Sequence, residues 1–142
     1  MTGGERRALT AALLALVVVA AACGADRDTG EPSPSSSFGV VTPDAATTAV
    51  LGLCDLTNAT DVVEAGATFL DQSHATLHAI AAAADERDRA SAAALFEAKQ
   101  RVEAALARPE LPPRFQRTVE TLISATRDAL DAIGLDAPAC PS

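Results

Sequence analysis

Residues 113–134 read PRFQRTVETLISATRDALDAIG. Phe115, Val119, Leu122, Thr126, Leu130 and Ile133 recur at three- and four-residue steps, which sets them along one side of an α-helix. Pro113 suits the first helical position, because the N–H it lacks is one that a helix start cannot use internally. Gly134 stands where a left-handed C-terminal cap belongs. Ahead of it, Arg108-Pro109-Glu110-Leu111-Pro112 forms a turn. A helix with both ends marked and one apolar side needs other helices to cover that side, and the rest of the chain supplies them.

Working toward the N-terminus, Asp88 is placed to cap a helix carrying Ala92, Leu95, Phe96, Val102 and Leu106. The charged run Asp85-Glu86-Arg87-Asp88 separates it from a longer helix, about Asp61 to Ala84. The apolar stripe of that helix is Val62, Val63, Gly66, Phe69, Leu70, Ser73, Leu77, Ile80 and Ala84. A shorter first helix follows Pro43-Asp44 and carries Val50, Leu51, Leu53, Cys54 and Leu56 before Asn58. Short connections make consecutive helices antiparallel neighbours. The expected fold is therefore all-α: an up-down antiparallel helical bundle of three long helices plus a shorter first one, over residues 43–142. Composition agrees, with 49% hydrophobic residues but only 3% aromatic, four Phe and no Trp or Tyr, which argues against sandwiches and barrels. A net charge of −8 with so few rings also excludes nucleic acid as a partner class, since neither phosphate-neutralising charge nor stacking platforms are on offer.

The first 23 residues are of another kind. Glu5, Arg6 and Arg7 form a short, net positive start, and Ala8 to Ala22 is apolar apart from Thr10. That run is short for a bilayer span and right for the apolar region of a signal peptide. It closes as Ala20-Ala21-Ala22-Cys23, which resembles the lipobox of bacterial lipoproteins. The family favours Leu at the third residue before the cysteine, where this chain has Ala20. The resemblance implies that residues 1–22 are cleaved and that Cys23 carries a lipid. It further implies attachment to the cell membrane on its extracytoplasmic face, with the membrane itself as a partner. An ordinary secretory signal and an uncleaved anchor are the alternative readings of the same run. Residues 23–42, rich in Gly, Pro, Ser and Asp, read as a disordered tether, because they cannot bury enough surface to offset their ordering entropy.

With Cys23 lipidated, Cys54 and Cys140 remain as an even pair in an oxidising compartment, which predicts a disulfide between them. A thiolate metal pair is the alternative, though the two lack ligand spacing. Because the fourth helix should end at the pole away from Asn58, the tail from Leu135 to Cys140 must run back along the bundle.

Few residues carry chemistry. The two histidines, His74 and His78, lie one turn apart on the long helix, with Asp71 one turn ahead, nearest the solvent. Asp71, His74 and His78 can present three metal-binding groups on one face, and imidazole suits zinc or copper. It is not the zincin pattern, since Ala75 stands where the general-base Glu belongs. The plainer reading is two histidines flanking a helix seam. Lys99, the only lysine, falls inside an apolar stripe and comes level with His74 when the helices fold back. There it either opposes a metal by repulsion or lays its methylenes on the stripe. No nucleophile, base and orienter can be assembled, so no catalytic residues and no cofactor are assigned. The sequence points to a lipid-anchored, non-enzymatic domain that binds an envelope protein or ligand, with extracytoplasmic copper or zinc binding through Asp71, His74 and His78 as the alternative.

Overall fold

The computed structural model describes residues 40–141. The expected signal peptide (residues 1–22), the lipid site at Cys23 and the tether up to residue 39 lie outside the described residues. The elements are α1 (Pro43–Leu56), α2 (Val62–Thr68), a π-helical turn (Phe69–His74), α3 (Ala75–Asp85), α4 (Arg89–Leu106) and α5 (Phe115–Ala132). From α2 to α3 the backbone stays right-handed helical, so these three pieces form one continuous rod. Four rods result, with no strand among the described residues. α4 lies against both α3 and α5, and α1 closes the bundle against the π-helical turn and α5. The all-α bundle expected from the apolar stripes is what forms. No helix of the described residues is long and apolar enough to cross a membrane.

Local chemistry sets the ends. Thr42 caps α1, its Oγ1 accepting from the Ala45 N–H at 3.2 Å, and Val41 already packs against the core. The domain thus starts just ahead of Pro43, inside the stretch read as tether. Asp61 caps α2 and Asp88 caps α4 through paired backbone N–H bonds. α5 begins at Phe115 rather than at Pro113, because the Phe115 N–H turns back to the Pro112 carbonyl at 2.9 Å. At its other end Gly134 has φ 76°, the Leu135 N–H reaches the Leu130 carbonyl and the Gly134 N–H reaches Asp131, both at 2.9 Å. That pair of bonds is a Schellman cap, and only glycine adopts its conformation without strain.

The π-helical turn corrects the reading of the long helix. The residues that the rod buries are Ala65, Phe69, Ser73, Leu77, Ile80 and Ala84, so its first turns repeat every four residues. Twelve residues from Ala65 to Leu77 would make roughly 3.3 turns of regular α-helix, carrying Leu77 about a third of a turn off the buried side. Hydrogen bonding to the fifth residue takes in that surplus and keeps the stripe straight. Val63 and Leu70, expected on the apolar stripe, end 76% and 61% exposed. The turn is seated on α1: Ser73 is buried and its hydroxyl donates to the Ala49 carbonyl at 2.9 Å. Gly52 supplies the clearance, since a Cβ there would meet Gln72 Cβ at 2.7 Å and Ser73 Oγ at 2.8 Å.

Past Gly134 the chain turns back beside α5. Arg127 donates to the Pro138 carbonyl at 3.3 Å, and Cys140 bonds Cys54, with 5.4 Å between their Cα atoms. Both the expected disulfide and the returning tail are present. Leu53, Leu77, Leu122 and Leu130 are fully buried, and each contributes about 1.5–3 kcal/mol of transfer free energy. Alanines between them, such as Ala46, Ala49 and Ala129, let the rods approach closely.

Candidate functional site

The π-helical turn ends on His74, and His78 follows one turn later in α3. Their rings meet edge to face with centroids 4.8 Å apart. On its other side the His74 ring meets the buried Phe69 ring at 5.7 Å, which fixes its orientation. Across the seam, α4 presents Lys99 and Glu103 one turn apart. His74 Nε2 lies 3.0 Å from Glu103 Oε1, and Lys99 Nζ donates to the same oxygen at 2.7 Å. One carboxylate oxygen therefore joins two rods and two cationic or proton-bearing nitrogens.

Burial is uneven across this group. The Lys99 side chain is 4% exposed, whereas those of His74 and Glu103 are 33% and 36% exposed. His78 is half-buried as well. A covered ammonium is costly unless paired, and Glu103 provides the pairing at the edge of the seam. Lys99 thus does run its methylenes along the apolar stripe, but its charge stops under Glu103 rather than reaching open water.

Burial pushes the Glu103 carboxyl up. The Lys99 hydrogen bond and charge, joined by the charge and hydrogen bond of His74, outweigh that effect and hold Glu103 below the usual carboxylate range. For His78 burial comes first, then the Lys99 charge, then His74; together they hold its imidazole below its ordinary value of 6.5 against an opposing pull from Glu103. A neutral imidazole has a free lone pair at neutral pH. His78 forms no ion pair with Glu103, so its N–H is not committed to that carboxylate.

His74, His78 and Glu103 each offer one ligand atom, and these atoms lie within 4.8 Å of one another. Asp71, read from the sequence as the third member, is exposed and does not join them. The reason is the π-helical turn: residues three apart stack in an α-helix, but not where the bonding reaches the fifth residue. Glu103 takes that place from the neighbouring rod. A signal for it was present, because Glu103 lies four residues beyond Lys99, which the folding-back of the helices already sets level with His74. Two imidazoles and a carboxylate, open to solvent on one side, match the ligand types of zinc and copper sites. Compared with protein-family models, curated proteins and solved structures, the chain matches none.

Proposed function

We propose that the chain is a lipid-anchored extracytoplasmic domain that works by binding in the cell envelope rather than by catalysis. The Cys54–Cys140 disulfide supports this reading. Such bonds form and persist in oxidising compartments, the side of the membrane to which a lipobox-bearing chain is delivered. With two of the three cysteines in that bond, Cys23 is the one left for a lipid. Each methylene of an acyl chain adds about 0.8 kcal/mol of membrane affinity, and a pair of chains anchors stably where one is marginal. A short run of chain from there to Thr42 then connects the anchor to the bundle. Val63 and Leu70, both mostly exposed on the second rod, give an envelope protein apolar side chains to cover.

The test is Cys23→Ala in the full chain, expressed in a bacterium that processes lipoproteins. We expect the domain to leave the membrane fraction or to accumulate as an uncleaved precursor. Processing and membrane partitioning that match the wild type would overturn the anchor.

A further inference from the structure

We propose that His74, His78 and Glu103 bind a divalent transition-metal ion of the zinc–copper class, and that the Lys99 ammonium is the internal cation that holds the seat until the ion arrives. The site stands apart from the anchor: it needs no lipid and no partner protein.

Three observations carry it. The ligand atoms come from two rods, yet lie within 4.8 Å of one another. Bonds of about 2.0–2.2 Å set tetrahedral ligands roughly 3.3–3.5 Å apart, so closing on an ion needs side-chain rotation and no movement of the rods. The two imidazoles are spaced by one helical turn and already in contact, so the helix fixes their separation before the ion binds. Finally, a cation is already held at one of the ligands: Lys99 Nζ lies 2.7 Å from the Glu103 oxygen that would ligate the ion. A carboxylate that holds a buried ammonium at this seam is one that favours a cation beside it.

Binding exchanges one cation for another. Glu103 Oε1 releases the Lys99 and His74 hydrogen bonds and ligates the ion. Each imidazole gives the ion its lone-pair nitrogen and keeps its proton on the other. Lys99, displaced from its acceptor, remains close enough to repel the ion, so the wild type binds more weakly than the same ligands would alone. The half-buried setting of all three ligands leaves a fourth position for water, as in zinc sites with an open coordination position.

The experiment is calorimetric titration of Zn²⁺ and Cu²⁺ into the full chain, purified in detergent with the disulfide formed. Cys23→Ser is used as the parent, so that no free thiol binds the metal. We expect one ion per chain, loss of binding in His78→Gln, weakening in Glu103→Gln, and tightening of about tenfold or more in Lys99→Met. His78 makes no hydrogen bond in the seam, so its replacement tests ligation with little disturbance of the fold. Thermal melts of each variant separate unfolding from a lost ligand. Absence of saturable one-to-one binding in both the parent and Lys99→Met would overturn the site, as would binding that survives His74→Ala with His78→Ala. Unchanged affinity in Lys99→Met would overturn the role given to the ammonium.

Discussion

Gly52→Ala sets two effects of known size against each other. In a helix interior alanine is favoured over glycine by about 0.8–1.0 kcal/mol, so propensity alone makes this substitution stabilising. The packing opposes it. The new Cβ would lie 2.7 Å from Gln72 Cβ, 2.8 Å from Ser73 Oγ and 2.9 Å from Gln72 Oε1. Gln72 Cβ is fixed to its backbone, so α1 and the π-helical turn must separate. Overpacking of this kind costs about 1–3 kcal/mol. Pushing Ser73 off the Ala49 carbonyl leaves a buried hydroxyl without a partner, for about 1–3 kcal/mol more. Less the propensity gain, the net loss is about 1–5 kcal/mol, which lowers the melting temperature of a domain this size by at least about 5 °C. Gly66→Ala is the control. Nothing lies within 4 Å of a Cβ there, so propensity acts unopposed and the melt should rise by a few degrees. The assay is thermal unfolding followed by circular dichroism with the disulfide intact. Gly52→Ala as stable as the wild type would refute the close approach of α1 to the turn. Because His74 directly follows Ser73, its ring signals should also shift in Gly52→Ala and stay in place in Gly66→Ala.

Two further outcomes are expected. Cys140→Ser opens a loop whose ends are 86 residues apart; in the chain-entropy model this costs about 4–5 kcal/mol, read as a lower urea midpoint. An unchanged midpoint would show the bond to be inert. Asp88 is held below its ordinary 3.8 by the Ser91 hydroxyl, then by the backbone N–H groups of Ser91 and Ala90. A carboxylate with a depressed folded pKa adds stability that is present above its ordinary value and lost as pH falls through the folded one. The melting difference between wild type and Asp88→Asn should therefore be present at about pH 6 and close below about pH 4. A gap that is constant across that range would count against the charged cap.

Where local rules suffice, the chain could be read without coordinates. Asp88 and Gly134 act as the caps their positions suggest, and the α5 stripe faces inward over its whole length. The pairing of Cys54 with Cys140 followed from having only two thiols left to pair. The second rod could not be read this way, because hydrophobicity does not single out one side of it. Val62, Val63, Phe69 and Leu70 come in adjacent pairs, and alanines fill most other places, so a 3.6-residue stripe and a four-residue stripe both fit. Contact with α1 decides between them, through Ser73 and Gly52. The same choice moved the third member of the cluster from Asp71 to Glu103, a change of partner helix that no spacing within one helix reveals. Phe96 shows the limit again: placed in the core of α4 by pattern, it is 46% exposed, while Lys99 is the residue that goes in.

The disulfide also settles how this molecule responds to being pulled. A load applied through the segment ahead of Val40 enters at the start of α1, and the first covalent stop it meets is Cys54. Only the stretch from Pro43 to Cys54 can be drawn out, from about 18 Å as helix to about 40 Å extended, a gain of roughly 20–25 Å. The force then passes through sulfur to Cys140 and out along Pro141. For a load that leaves through the C-terminus, everything between the two cysteines, including the π-helical turn and both histidines, is enclosed in a loop that carries no tension. Pulled between its two ends, the domain therefore stretches and recoils at α1 while the seam of His74, His78 and Glu103 stays assembled.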